Sequence, residues 1–209
     1  MKYRYVVVEG PIGSGKTTVA RMLSEHYNAD LLLEDADSNP FLSQFYRDMK
    51  RYALATQMFF LFQRTNQLST MQQPDLFERK TVADYMLAKD SLFAKLTLDD
   101  NEFSLYSQLY NHLKPQAPVP DLVIYLQSSV AQLQARIHRR GRPMERGISE
   151  EYLLKLSESY TRHFYEYCDS PLLIVNGDRF DFANNTEHFQ MLIKRVEEMR
   201  GGKEYFNAA

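Results

Sequence analysis

A glycine-rich octapeptide directly after an apolar run constrains this chain more than any other feature of its sequence. Residues 10–17 read Gly-Pro-Ile-Gly-Ser-Gly-Lys-Thr and match the phosphate-loop pattern GxxxxGK[ST] at every fixed position. The apolar run, residues 5–8, has the character of a buried strand, and helical periodicity follows the loop. In this setting backbone N–H groups and the helix N-terminus surround the phosphates, Lys16 reaches the β- and γ-phosphates, and the Thr17 hydroxyl holds Mg²⁺. A plain glycine turn with an ordinary surface lysine is the weaker alternative.

Apolar runs alternate with helical segments along the chain, which favours a parallel sheet covered by helices. We predict an α/β fold of the P-loop NTPase type with a five-stranded parallel sheet. The chain length favours one domain, residues 1–200, followed by a flexible tail, residues 201–209. Ser128 or Ser129 is expected to cap one helix and Ser149 the next. The predicted strands span residues 5–8, 31–33, 122–126 and 172–175, with a weaker strand at 75–77.

Composition excludes several classes of protein. The chain has 25 basic and 27 acidic residues, so it offers no basic field for nucleic acid. No apolar run approaches the roughly 20 residues that span a bilayer, and residues 5–8 are too few for a signal sequence. Cys168 is the single cysteine, so an internal disulfide is impossible. We therefore expect a cytoplasmic protein without a nucleic-acid or membrane partner.

A phosphate loop indicates a nucleotide but does not identify the reaction. Switch GTPases carry DxxG and NKxD elements, and neither string occurs in this sequence. Motor and transport ATPases usually place an Asp at the end of an apolar strand, whereas Asp121 stands at the start of its strand. Glu78, after the weak strand at 75–77, is the better placed carboxylate for a metal.

Ligands of open parallel sheets gather beyond the carboxyl ends of the strands, where Glu34 follows the second strand. A carboxylate there could accept the proton of a substrate hydroxyl as the γ-phosphoryl group moves. The residues alone support a solvated acidic loop with Asp35 and Asp37 equally well.

Five arginines lie around Gly141 and Gly147, which suggests a mobile lid that closes over phosphates. The alternative is a solvated helix end, because cations are favourable there in any case. The presence of a phosphate loop to cover favours the lid. The arginines are Arg136, Arg139, Arg140, Arg142 and Arg146.

Gln57 and Arg64 lie seven residues apart on a predicted helix and so project from nearly the same face. A polar pair beside aromatic residues could bind a nucleobase, but an exposed polar stripe explains the pattern more simply.

Taken together, these residues resemble the deoxynucleoside kinase family. The resemblance spans most of the chain and rests on motifs that include the phosphate loop with Thr18. The other residues and motifs on which the resemblance rests are Glu34, Asn39-Pro40-Phe41-Leu42, Phe45-Tyr46, Phe77-Glu78-Arg79 and the segment from Arg136 through Arg140-Gly141-Arg142 to Glu145.

The resemblance implies a role for each of these residues. Glu34 falls at the general base for the sugar 5′-hydroxyl and Arg79 at an arginine near that hydroxyl, so both are predicted to be catalytic together with Lys16. Tyr46 and Glu145 fall where the 3′-hydroxyl is bound, and Gln57, Arg64 and Asp84 where the base is read. Thr17 and Glu78 are the implied Mg²⁺ residues. The implied ATP site comprises Gly10, Pro11, Ile12, Gly13, Ser14, Gly15, Lys16, Thr17, Thr18, Arg140 and Arg142.

Two positions depart from the family pattern. Lys80 replaces a serine after Glu-Arg, and Ala88 stands where a base-stacking phenylalanine is common. Phe59, Phe60 or Tyr85 could supply the stacking surface instead.

The resulting prediction is a homodimeric kinase that uses ATP and Mg²⁺ to phosphorylate a deoxynucleoside, favouring purine deoxynucleosides or deoxycytidine. One alternative is a nucleoside-monophosphate kinase, although the acidic segment around Glu34 lacks cations for an acceptor phosphate. The other is a switch or assembly ATPase that acts through a partner protein.

Overall fold

In the computed structural model, residues 2–70, 79–114 and 117–207 are described. Within these residues, six strands form one sheet in the order β2-β3-β1-β4-β5-β6, with every neighbouring pair parallel. The predicted α/β class is confirmed, and the predicted number of five strands is wrong. The strands are β1 Tyr5–Glu9, β2 Asp30–Leu32, β3 Thr81–Ala83, β4 Leu122–Gln127, β5 Leu172–Asn176 and β6 Lys203–Phe206.

Helices connect the strands and begin at side-chain caps where the sequence offers them. Ser129 Oγ accepts from Gln132 N, and Ser149 Oγ accepts from Tyr152 N, as expected of N-caps. Short 3₁₀ segments follow β2 (Ala36–Ser38) and α6 (Pro143–Gly147). The helices are α1 Lys16–Tyr27, α2 Leu42–Phe45, α3 Met49–Thr70, α4 Ala88–Thr97, α5 Asp100–Leu113, α6 Val130–Arg140, α7 Glu150–Glu166 and α8 Thr186–Glu198.

The sheet separates two apolar cores, because alternate residues of each central strand point to opposite faces. Val7 of β1 packs into a core with α3, α4, α5 and α7, whereas Val6 and Val8 pack into a core with α1 and α8. Both faces of the central strands are therefore buried, as continuous apolar runs predict. Within the described ranges, none of the helices combines the length and apolarity that crossing a bilayer requires.

The strand between β2 and β1 lies later in the chain than predicted. Residues 75–77 fall outside the described residues, and β3 is the three-residue segment Thr81–Ala83, which pairs with β1 and β2. Val82 and Ala83 are fully buried. Three residues suffice because neighbours on both sides pair with them, so β3 leaves only a weak pattern in the sequence. Asp84 consequently stands at its carboxyl end.

The predicted flexible tail is wrong for residues 203–206. They form β6, which pairs in parallel with β5 at the edge of the sheet. Phe206 stacks on Phe180 with ring centroids 4.6 Å apart, while Tyr205 is 58% exposed. An edge strand with one buried face alternates in polarity, so it lacks the apolar run by which the other strands were recognised.

Candidate active site

The phosphate loop bends tightly between β1 and α1. Gly13 and Gly15 have φ angles of 86° and 90°, in the left-handed region that glycine adopts without steric cost. A Cβ on Gly13 would lie 2.7 Å from the carbonyl oxygen of Leu133, so α6 packs directly on the loop. The helix α1 begins at Lys16, and its N-terminus therefore adjoins the loop as phosphate binding requires.

A cavity of about 530 Å³ opens over this loop and α1. Arg136 anchors α6 to the loop by donating to the carbonyl oxygens of Ser14 at 3.0 Å and Gly177 at 2.7 Å. Arg136 is thus a fixed contact rather than part of a mobile segment. The other cavity-lining arginines are Arg21, Arg139, Arg140 and Arg142.

A second cavity, of about 360 Å³, adjoins the first and has the size of a small-molecule site. Glu34, Tyr46, Gln57, Arg64 and Glu145 all line it, so the structure brings these predicted site residues together. The two cavities share Lys16, Thr17, Arg21, Arg140 and Arg142.

Glu34 lies within a buried cluster of charges in this second cavity. Its Oε1 accepts from Arg64 Nε at 2.7 Å and lies 3.1 Å from Lys89 Nζ. Burial by itself raises the pKa of Glu34, but Arg64, Lys89 and Lys16 outweigh it and hold the pKa well below its usual value. Glu34 is therefore a carboxylate at neutral pH and not part of a solvated loop.

Asp84 lines the second cavity, but its hydrogen bonds run to the phosphate loop and to the backbone of Glu34. Its Oδ2 accepts from Thr17 Oγ1 at 2.5 Å, and its Oδ1 accepts from the backbone N–H of Glu34 at 2.8 Å. The predicted Arg64–Asp84 pair is wrong: the guanidinium of Arg64 pairs with Asp90 on α4. The reason is topological, because β3 ends beside β1, whereas the first turn of α4 faces α3.

Arg79 does not reach the site. It precedes β3, at the amino end of the sheet, where its 67% exposed side chain lies 3.9 Å from Asp30. The predicted place of Arg79 beside Glu34 is therefore wrong, and Lys89 lies there instead. Glu78, the other predicted member of that motif, lies outside the described residues.

Glu9 is buried beneath the phosphate loop at the end of β1. Its carboxylate accepts from the backbone N–H of Met86 at 2.8 Å and of Gly10 at 3.1 Å, and from Tyr160 Oη at 3.3 Å. Burial raises the pKa of Glu9 even though Lys89 and Lys16 act in the opposite direction. These bonds tie the loop to the chain that follows β3.

The arginine-bearing segment between α6 and α7 folds over the second cavity. Arg140 makes two hydrogen bonds to the Glu145 carboxylate, at 2.6 and 3.1 Å, and Arg142 lies 3.5 Å from Asp37. A Cβ on Gly147 would lie 2.7 Å from the carbonyl oxygen of Tyr46, so this segment packs closely on α2. These contacts bring Glu145 beside Tyr46, whose pKa burial raises.

The inner end of the second cavity has polar and aromatic walls. Gln57 and Arg64 are buried, 2% and 3% exposed, so they do not form the exposed stripe that their pattern alone favoured. The guanidinium of Arg64 lies 4.7 Å from the Phe60 ring centroid, and Phe93 of α4 also lines the cavity. In the described chain the lining includes none of Phe59, Tyr85 and Ala88.

Sequence reasoning missed Lys89, Asp90 and Phe93. All three lie on α4, close after β3, so recognising Thr81–Ala83 as a strand would have drawn attention to them. Arg21 was also missed, although it follows Thr17 by one helical turn and thus shares its face of α1.

Comparison with known proteins decides the family. The sequence profile of the family described as deoxynucleoside kinase matches residues 6–200. The chain belongs to the deoxynucleoside kinase family. This membership confirms the predicted family and the predicted ATP-dependent phosphotransferase activity.

Deoxynucleoside kinases from bacteria are similar over almost the whole chain. A deoxyguanosine kinase of Bacillus subtilis (strain 168) is 34% identical over 93% of this chain and 97% of its own length. A deoxyadenosine kinase of Lactobacillus acidophilus is 31% identical over 92% of this chain and 94% of its own. The structure of deoxyadenosine kinase from M. mycoides with bound dATP matches with a TM-score of 0.81 at 25% identity, over 93% of this chain and all of that one.

Proposed function

We propose that this deoxynucleoside kinase transfers the γ-phosphoryl group of ATP to the 5′-hydroxyl of a purine deoxynucleoside or deoxycytidine. The observation that carries the proposal is the position of Glu34. This ionised carboxylate lines a cavity of nucleoside size that shares Lys16 and Thr17 with the phosphate loop.

The residues of the two cavities suggest how the transfer proceeds. Glu34 accepts the hydroxyl proton as the acceptor oxygen attacks the γ-phosphorus and the bond to the ADP oxygen breaks. Lys16, Arg140 and Arg142 stabilise the negative charge on the transferring group from positions at the junction of the cavities.

Base recognition is proposed at Gln57 and Arg64, which line the cavity, together with Asp90, which pairs with Arg64 from outside the lining. Asp90 is completely buried and, in the described parts of the chain, its Oδ2 has no hydrogen-bond partner. Leaving such an oxygen unsatisfied is costly, and we propose that a bound base reaches it with a hydrogen-bond donor beside Arg64. The amino groups of adenine, cytosine and guanine can donate one, whereas thymine has no amino group. The deoxyguanosine and deoxyadenosine kinases among the relatives are consistent with this preference.

The proposed partners of the sugar and the metal lie in the same region. Tyr46 and Glu145, which lie beside each other where the segment between α6 and α7 meets α2, are proposed to bind the 3′-hydroxyl. The hydroxyl of Thr17 and the carboxylate of Asp84 are hard oxygen ligands beside the loop and fit Mg²⁺. A bound Mg²⁺ would neutralise phosphate charge there; Asp84 takes the place in this proposal that the sequence had suggested for Glu78.

Two features support a homodimer in the cytoplasm. The packed helices α3 and α5 expose Phe62 and Leu105 to 46% and 50%, which is compatible with a subunit interface. Cys168 is a free thiol, as reducing compartments permit. Light scattering on the purified protein would measure its mass, and a monomer would contradict the dimer.

An acceptor screen tests the proposed reaction. ADP release would be measured with ATP, Mg²⁺ and each of the four deoxynucleosides, their ribonucleoside counterparts or their monophosphates. We expect release with deoxyadenosine, deoxyguanosine or deoxycytidine and little with thymidine. Release only with monophosphates would favour a nucleoside-monophosphate kinase, and equal release without an acceptor would favour a switch or assembly ATPase.

A further inference from the structure

Lys89 is a buried cation that the proposed reaction leaves without a role. Its side chain is 3% exposed, and its Nζ lies 3.1 Å from Glu34 Oε1. Burying an ammonium group is costly unless carboxylates compensate it, and here Glu34 is its ion-pair partner while the buried Glu9 acts on it at longer range. Lys89 is not one of the residues that line the acceptor cavity, and it therefore lies behind Glu34 as seen from a substrate.

The two oxygens of Glu34 have different surroundings. Oε1 accepts from both Nε and Nη2 of Arg64 and also faces Lys89. In the described ranges, no hydrogen bond or ion pair engages Oε2. Cations on one oxygen fix the orientation of the carboxylate and leave the other oxygen to accept a proton from a hydroxyl in the cavity.

The first turn of α4 holds this arrangement in place. Lys89 pairs with Glu34, and the adjacent Asp90 pairs with Arg64, which itself bonds Glu34. The four side chains thereby join the end of β2, the middle of α3 and the start of α4. A carboxylate held by three elements cannot rotate freely, and correct orientation of a reacting group contributes strongly to rate.

We propose that Lys89 is a positioning residue for phosphoryl transfer, holding Oε1 of Glu34 so that Oε2 faces the 5′-hydroxyl of the acceptor. The inference rests on the proposed function, in which Glu34 is the general base. It assigns to Lys89 the place beside Glu34 that the sequence had suggested for Arg79.

Three variants on α4 test the proposal. Lys89→Met keeps the length of the side chain without its charge, Lys89→Arg keeps the charge, and Lys95→Met removes an exposed lysine from the same helix as a control. We expect Lys89→Met to lower kcat roughly 10- to 100-fold, with the KM for ATP within about twofold of wild type. Lys89→Arg should recover most of kcat, and Lys95→Met should match the wild type. Thermal unfolding and binding of an ATP analogue would show that each variant is folded.

The outcomes separate this inference from the proposed function. Wild-type kcat in Lys89→Met, or equal losses in Lys89→Met and Lys89→Arg, would overturn the positioning role while leaving the reaction intact. A wild-type protein that phosphorylates no deoxynucleoside would overturn both. A folded Lys89→Met variant with low kcat, rescued by arginine, supports the role because a purely structural lysine would not need its charge for turnover.

Discussion

Glu34 is both the proposed general base and a member of a buried cluster of charges. Its backbone N–H donates to Asp84 at 2.8 Å, and its side chain pairs with Arg64 and Lys89. Burial of the carboxylate is tolerated because these cations compensate for its lost hydration. Its depressed pKa means that it meets the substrate already ionised, as a general base must.

Replacing Glu34 with glutamine should therefore separate catalysis from nucleotide binding. Glu34→Gln keeps the shape of the side chain but cannot accept the hydroxyl proton, so kcat should fall by at least about 10²-fold while binding of an ATP analogue changes little. Steady-state kinetics and nucleotide titration would measure the two effects. Turnover close to that of the wild type would remove Glu34 from its proposed role.

Arg79→Ala is the matched comparison for this prediction. The sequence predicted that Arg79 is catalytic together with Glu34. Its side chain, however, is 67% exposed and lies before the amino end of β3, away from the acceptor cavity. Its kcat/KM should stay within about twofold of wild type, as expected of a surface substitution. A loss as large as that of Glu34→Gln would mean that Arg79 acts in the site after all.

The segment between α6 and α7 depends on its close fit to α2. Gly147 allows the 3₁₀ segment Pro143–Gly147 to approach the backbone of Tyr46, and the same segment presents Glu145 to Arg140. Backbone atoms cannot move aside as a flexible side chain can. We therefore expect the position of this segment over the acceptor cavity to change when a single methyl group is added at Gly147.

Gly147→Ala should displace this segment from α2. The added Cβ would meet the Tyr46 carbonyl oxygen at 2.7 Å, so we expect the KM for the deoxynucleoside to rise about tenfold because Tyr46 and Glu145 lose their alignment. Arg146→Ala, which shortens an exposed side chain in the same segment, is the control. Kinetics at varied acceptor concentration would show the difference, and an unchanged KM in Gly147→Ala would indicate that the segment adjusts freely.

The parallel sheet contains strands from both ends of the described chain, β1 and β6. Its carboxyl edge carries the phosphate loop, Glu34 and Asp84, while its flank is completed by β6 from the C-terminal region. Phe206 of β6 packs on Phe180, a residue that also lines the cavity over the loop. The C-terminal strand is therefore part of the fold around the nucleotide site.

Removing the Phe206 side chain should destabilise the protein. Phe206→Ala deletes a ring stacked on Phe180, and because Phe206 is only partly buried we expect a loss of about 1–2 kcal/mol in the free energy of unfolding. Tyr205→Ala, on the exposed face of the same strand, should change it by less than about 0.5 kcal/mol. Urea denaturation would measure both. Equal effects of the two substitutions would indicate that the buried face of β6 contributes nothing to the free energy of unfolding.

Local patterns in the sequence were sufficient for much of the fold. Four strands were predicted to within one residue at each end, since buried parallel strands are continuous apolar runs. Ser149 was predicted as one helix cap and Ser128 or Ser129 as another, because a capping side chain acts on backbone groups within three residues; the caps are Ser149 and Ser129. The phosphate loop was readable for the same reason: its function depends on the local backbone path of one short segment.

Long-range pairing accounts for what the sequence left open or misplaced. The strands β3 and β6 are recognisable only from the strands with which they pair. β3 pairs with β1 and β2, and β6 pairs with β5. Asp84 and Asp90 are chemically identical, and only the ends of β3 and α4 determine which one meets Thr17 and which one meets Arg64. The same geometry brings Lys89, and not Arg79, to Glu34, because ion pairs depend on distances that folding alone creates.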